Sequence, residues 1–296
     1  MDTSRLGALN IELLGSEAKD KLSEEYGKVI DNISTQTVAG LYSNKDLSGD
    51  PTSGSVEAKR FANVKGQKYG TARKGGAGQK IKAKPVVVPI DDEVEYIEEV
   101  EEKDIKMYGV NGLIERRTSN HEMVMGIDND VKFFKAMADE GTDFKCSETA
   151  INKIVSKAIS TMRKTKNDFV NGVPLQLIKV AFSEDAYNDM RDYLDTTSKS
   201  NIDTSIGEIG RFHGVDVFST VNMPNGYDFI VFIDGAVAQP KHLAVYNPQQ
   251  IELSKAIGFG SFVDMGTKCV TPDLVLAKKT TVYQMKKWRN KNEIIY

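Results

Sequence analysis

Residues 55–90 read SVEAKRFANVKGQKYGTARKGGAGQKIKAKPVVVPI, and residues 91–104 continue as DDEVEYIEEVEEKD. The first stretch holds nine basic side chains, Lys59, Arg60, Lys65, Lys68, Arg73, Lys74, Lys80, Lys82 and Lys84, against the single acid Glu57. Its flanks alternate apolar and polar residues as strands do, and its middle, GQKYGTARKGGAGQK, is rich in glycine. The spacing predicts a long β-hairpin with a pliable tip. A dozen residues per arm at about 3.3 Å each would project about 40 Å. A ribbon of two strands is marginal in water, and this one has few apolar side chains to lay on its own body, so it should rest on something else. The second stretch reverses the sign: Asp91, Asp92, Glu93, Glu95, Glu98, Glu99, Glu101, Glu102 and Asp104 fall within it, with apolar residues interleaved. A basic hairpin beside an acidic strand implies either attraction, within the chain or between neighbouring copies, or two separately solvated faces.

The rest of the chain supplies a body. Its 296 residues, 40% of them hydrophobic, suffice for one large domain or two modest ones. A net charge of −3 gives no overall pull toward nucleic acid. The two cysteines, Cys146 and Cys269, have no framework spacing and read as core thiols of a reducing compartment. No segment has the form of an export signal or the roughly 20 apolar residues of a membrane span, so the chain is expected to be neither exported nor membrane-embedded.

Upstream, Leu14, Ala18, Leu22, Tyr26, Val29, Ile30 and Ile33 recur at helical spacing behind Ser16, a candidate N-cap. The polar connector NKDLSGDPTSGS at 44–55 then separates this helix from the rest, which makes it an arm outside the main body. Downstream, Met123, Ile127, Val131, Phe134 and Met137 or Ala138 mark a helix over 119–140 ending at Gly141. A second, with Ile151, Ile154, Val155, Ala158, Ile159 and Met162 on one face, follows Ser147 as N-cap. LQLIKVAF, SEDAYNDMRDYLDT, GVDVFSTVNMP and YDFIVFIDGAVAQP then give strand, helix, strand, strand: a compact α/β unit at about 170–260. Two more strand-like runs flank the turn at Thr271-Pro272-Asp273.

Catalytic signatures are missing. His121, His213 and His242 are far apart and carry no zinc-ligand spacing; each reads as a surface or helix residue. KGGAGQK departs from the phosphate-loop pattern and is not set between a strand and a helix. GFGSF around Ser261 fails the nucleophile-elbow pattern, and dense acid runs such as Glu98, Glu99, Glu101 and Glu102 form solvated faces more readily than acid–base pairs. The basic loop at 59–84, with Phe61 and Tyr69 as stacking residues, leaves a nucleic-acid contact open.

The order of these parts resembles the major capsid proteins of tailed bacteriophages, an α+β architecture with the HK-ninety-seven-like coat fold. VPLQLIKVAFSEDAYNDMRDYL, IGEIGRFHGVDVFSTVNMP and FIDGAVAQPKHLAVYNPQQIELS are similar in texture to that family's late strands and helix. The resemblance implies an N-terminal arm at 1–54, an E-loop hairpin at 55–90, a P-domain at 91–168 and again at 262–296, and an A-domain at 169–261. The long spine helix would be one of those at 119–140 or 147–164. It implies a structural protein with no catalytic, cofactor or metal site, assembling with itself as pentamers and hexamers of an icosahedral head around double-stranded DNA bound without sequence specificity. A separate scaffold protein, a portal and a decoration protein are the implied partners, and assembly would take place in the host bacterial cytoplasm. The nine basic residues of the hairpin would form the inter-subunit contact, and Asp91, Asp92, Glu93, Glu95, Glu98, Glu99, Glu101 and Glu102 the counter-surface. An encapsulin-type nanocompartment shares the fold and is the nearest alternative.

Overall fold

The computed structural model describes residues 16–64, 66, 68–70, 82–196, 202–203, 208–252, 254 and 256–280. Its longest element is a helix, α3 (Glu102–Glu140), which follows α1 (Ser16–Gln36) and α2 (Val38–Tyr42). α3 is interrupted at Gly109, whose φ of 70° and ψ of 166° break the helical run where a residue without Cβ meets least resistance. Beyond the break, residues 110–140 rise about 46 Å at about 1.5 Å per residue. One helix therefore serves two cores.

Its first core lies toward the helix start. Ile105, Leu113, Ile114 and Met125 pack with Ala18, Leu22, Tyr26, Val29 and Ile33 of α1. They also pack with a three-stranded sheet, ordered β13 (Lys241–Gln250), β14 (Ile257–Met265) and β4 (Asp92–Val100). α1 is thus part of the body, and the expectation of a detached arm is corrected. Its apolar stripe is buried to 3% exposure or less, and Tyr26 shares a 2.6 Å hydrogen bond with the ring of His121 on α3. His121 sits on a helix as expected but is 4% exposed.

The second core is built on a six-stranded sheet. Its order is β5 (Thr142–Asp143), β16 (Val275–Lys279), β11 (Tyr227–Ile233), β6 (Ile178–Phe182), β10 (Val215–Ser219) and β9 (Arg211–Phe212). Val180, Phe182, Phe229 and Val231 face α4 (Ile151–Lys164) and α5 (Glu184–Thr196). The alternate residues Ala181, Ile230 and Phe232 face Phe133, Phe134 and Met137 of α3. A strand covered on both sides needs no polar positions, which accounts for the unbroken apolar run FIVFI at 229–233.

Several boundaries differ from the sequence reading. Residues 241–265, grouped by sequence largely with the 169–261 unit, join the sheet of β4 instead, β13 pairing with β14 and β14 with β4. β16, expected to return to the first body, lies inside the six-stranded sheet beside β11. α4 starts at Ile151 with Ala150 at its N-cap, not at Ser147, because β5 and the Phe144 N–H are still paired with β16 and hold the chain extended. Gly141 does follow α3, yet with φ −70°. What requires glycine there is space, since a Cβ would meet Val275 at 2.7 Å. Along α3, Phe134, Met137 and Ala138 are buried as expected, whereas Met123, Ile127 and Val131 are exposed. Cys269 is buried and Cys146 half-buried, both as free thiols.

Because Leu22 is fully buried between α1 and α3, Leu22→Ala should lower unfolding free energy by about 2–5 kcal/mol in urea denaturation. Leu41→Ala, at an exposed position, should change it by no more than about 0.5 kcal/mol.

Candidate assembly interface

The basic segment does form a hairpin. β2 (Ser55–Phe61) pairs antiparallel with β3 (Ala83–Pro89) over all seven residues of each, and Ala62 N–H continues the ladder to Lys82 O. A short strand, β1 (Leu47–Ser48), adds to β2, so the base is a three-stranded sheet and not a lone ribbon. The outer edge belongs to β3, where Pro85 and Pro89 remove two donors and discourage a further strand from adding.

Alternation decides what each side chain meets. Val56, Ala58 and Val88 turn inward and pack on Ala238 of β12 (Val237–Ala238) and on Val270, so the base rests on its own subunit, contrary to expectation. Arg60, next on the same face of β2, reaches the turn before β16. It donates to both Asp273 oxygens at 2.5 and 2.8 Å and lies 4.7 Å from the Phe169 ring centroid. Asn167 also donates to Asp273, and Asn63 N–H bonds Asp168 O at 3.0 Å. Burial pushes the Asp273 carboxyl upward, but the hydrogen bonds from Arg60 and Asn167 and the guanidinium charge outweigh it and hold the group below its usual range.

Arg60 is therefore an intramolecular anchor, and this separates it from the other predicted contact residues. Lys59, Lys82 and Lys84 are exposed and have no ion-pair partner among the described residues. Lys68 is exposed with a contact of its own, and Lys65, Arg73, Lys74 and Lys80 lie outside the described residues. Phe61 and Val87 extend the exposed face with 55% and 47% exposure.

The acidic run also splits in two. On the inward face of β4, Glu98 pairs with Arg117 and lies 3.3 Å from His121 Nε2, and Asp92 pairs with Lys132 at 2.5 Å. Burial raises Glu98, and Arg117 with His121 pulls it back below the ordinary carboxylate range. These two acids brace α3 against the sheet. On the outward face, Glu93, Glu95 and Glu99 alternate with Ile97, all exposed. Glu93 stands directly across from Asp264 on β14, an unfavourable like-charge pair that an external cation would relieve. Glu95 accepts from Tyr246 at 2.9 Å. Asp91 is exposed, Glu101 pairs with Lys103 at 2.7 Å, and the Glu102 side chain lies outside what is described. Among the described ion pairs, none joins the hairpin to residues 91–104, so the intrachain form of the expected attraction is absent there. Sequence reasoning missed Asp273 and Asn167; a 213-residue separation between Arg60 and its partner leaves no local signal.

This architecture has known counterparts. A structure from Mycobacterium phage Che8 is 18% identical, with a TM-score of 0.61 over 82% of this chain and 91% of that one. The mature capsid of bacteriophage PhiM1 is 14% identical, with a TM-score of 0.55 over 83% and 88%. A virus-like particle from Pyrococcus furiosus is 10% identical, with a TM-score of 0.53 over 85% and 96%. No protein-family model matches the sequence, and no curated protein matches it either. The fold is the HK-ninety-seven-like coat fold, an α+β arrangement of extended hairpin, long helix and two sheets.

The anchor has a pH signature. Because the folded carboxyl of Asp273 titrates below its ordinary value of 3.8, its contribution is complete above that value and is lost as pH falls through the lower folded one. Asp273→Asn should cost about 1–2 kcal/mol at neutral pH and progressively less in acid, as read from urea midpoints across pH 2–7.

Proposed function

We propose that this chain is a major capsid protein that assembles with itself into the icosahedral head of a tailed phage, enclosing double-stranded DNA. The carrying observation is a hairpin clamped by Arg60 that presents Lys59, Lys82 and Lys84 without an ion-pair partner among the described residues, on a subunit whose β4–β14 sheet presents Glu93, Glu95 and Glu99 outward, likewise without an ion-pair partner there. Each surface is incomplete in the single chain, and each complements the other in a second copy. The coat fold of the similar structures supports the same reading.

In this assignment residues 55–90 are the E-loop and α3 is the spine helix, with α1 part of the body it packs on. The P-domain is the unit around β4, β13 and β14, and the A-domain the six-stranded sheet with α4 and α5. The contacts are individually weak, about 1 kcal/mol or less for an exposed ion pair, and a closed shell sums them over every subunit. The role is structural and uses no cofactor. A separate scaffold protein, a portal and a decoration protein complete the proposed partners; assembly precedes release, in the host cytoplasm. Mild overall acidity keeps the wall from binding the packaged genome along its whole surface. The likeness to a virus-like particle keeps an encapsulin-type compartment as the second reading, which differs in contents and not in wall construction.

Electron microscopy of the purified protein, with and without the product of the adjacent gene as scaffold, tests this. Closed shells or tubes are expected, and a monomer under all conditions would contradict the proposal. Lys59→Glu/Lys82→Glu/Lys84→Glu together should abolish shells while leaving circular dichroism unchanged, and raised salt should weaken assembly of the unmodified chain. Salt-sensitive DNA binding by a non-assembling monomer would instead make the loop a nucleic-acid contact.

A further inference from the structure

The two helices on the face of the six-stranded sheet away from α3 carry opposite charges that no contact above uses. α4 lies over β11 and β16, and α5 over β6, β10 and β11, so each helix forms one flank of that layer. α4 buries Ile154, Ala158 and Met162 and turns Lys153, Lys157 and Lys164 to solvent, with Arg163 beside them and no acid along its length. α5 buries Ala186, Met190 and Leu194 and turns out Asp185, Asp189 and Asp192, with Glu184 in its first turn and Arg191 as its one basic residue. Among the described ion pairs, none joins these charges within either helix or from one helix to the other.

Local effects do not account for this pattern. The helix dipole favours Arg163 and Lys164 in the last turn of α4, and Glu184 and Asp185 in the first turn of α5. It disfavours Lys153 in the first turn of α4 and Asp192 near the end of α5. Lys153 with Lys157, and Asp185 with Asp189, are like charges four residues apart, which weakens each helix on its own. The acids of α5 also crowd Asp228 of β11, which is 6% exposed and whose Oδ2 has no hydrogen-bond partner. Burial raises the Asp228 carboxyl above its usual range, Thr280 and Lys278 oppose this, and Asp189 and Asp185 add to it. Each face therefore lacks a counter-charge, and each has the sign the other needs.

We propose that the α4 face of one copy seats against the α5 face of the next, a pairing that rests on the self-assembly inferred above and shares no residue with the hairpin contact. A contact between unlike patches is head-to-tail: every copy offers one face and accepts the other, and repetition by rotation closes a ring. The end of the basic face is concave, with Ser160, Arg163 and Lys164 lining a cavity of about 400 Å³ that admits a carboxylate side chain. Double-stranded DNA would be drawn to α4 as well, but it would be repelled by α5 in the same layer and would leave that helix unanswered. A second copy satisfies both faces at once.

Exchanging the charges in the full-length chain tests the pairing, with shells counted by electron microscopy and the fold followed by circular dichroism. Lys153→Glu/Lys157→Glu/Lys164→Glu should lower shell yield about tenfold or more, and so should Asp185→Lys/Asp189→Lys/Asp192→Lys. The chain carrying both sets, in which the two faces have traded signs, should recover the yield. Normal yield from both one-face variants overturns the pairing and leaves the capsid reading standing, whereas no assembly by the unmodified chain overturns both. Normal shells from the α4 variant with weakened binding of double-stranded DNA would give that face to nucleic acid and also overturn the pairing. Should a reversed set fail to fold, single cysteines at the centre of each face decide. Chains with Lys157→Cys assembled together with chains with Asp189→Cys should form, on oxidation, a disulfide-linked dimer beyond what either gives alone, and its absence overturns the pairing.

Discussion

The structure turns on a constraint that a strand ribbon imposes: beyond the reach of its own body, a hairpin has no core to bury and cannot hold itself in water. Here the apolar contact reaches only as far as Val56, Ala58 and Val88, and beyond it the hairpin is held to its own body by the Arg60–Asp273 pair and the Asn63 N–H bond to Asp168 O. Past that point Lys82 and Lys84 are exposed, and no ion pair among the described residues answers their charge. In the proposed assembly these lysines meet a surface supplied by a neighbouring copy. The outward carboxylates of β4 are the proposed counterpart, since Glu93 faces Asp264 and a neighbouring cation would relieve that like-charge pair.

Such a contact is useful only if both of its halves are rigidly related, and α3 provides that. Its early turns are locked to α1 and the β4–β14 sheet through Tyr26, His121, Arg117 and Glu98, and its late turns bury Phe133, Phe134 and Met137 against the six-stranded sheet. The Asp273 end of the hairpin clamp belongs to the second unit and the outward acids belong to the first. One helix thereby fixes the distance between the two surfaces of the proposed contact. The break at Gly109 lies before Leu113, Arg117, His121 and the later packed turns, and leaves that distance intact.

Much of this was legible in the sequence because it is local. Charge segregation, the glycine-rich tip and the flanking alternation give the hairpin; the 3.6-residue spacing in α1 and α4 gives their buried faces directly. What was not legible depends on contacts distant in sequence. Arg60 reads as one more basic residue of the loop until the fold brings Asp273 to it. Met123, Ile127 and Val131 have core spacing and are exposed, because period tells which residues share a face and not what that face meets. The strands at 241–265 and 275–279 exchange sheets relative to the linear grouping for the same reason: β4 and β11 select them by pairing, which composition does not record. Of the acidic counter-surface, alternation alone separates Glu93, Glu95 and Glu99 from Asp92 and Glu98, but assigning which set faces inward needed α3.

The most direct test of the dependence on a neighbour is hydrogen exchange of the hairpin amides at 55–61 and 83–89, compared between unassembled protein and purified shells. The account predicts that in the free subunit protection is confined to the base near Val56 and Val88 and fades past Arg60. In the shell it should extend outward along both strands, together with new protection at 93–99. Equal protection of the distal hairpin in the two states would mean that the ribbon supports itself, and would contradict the account.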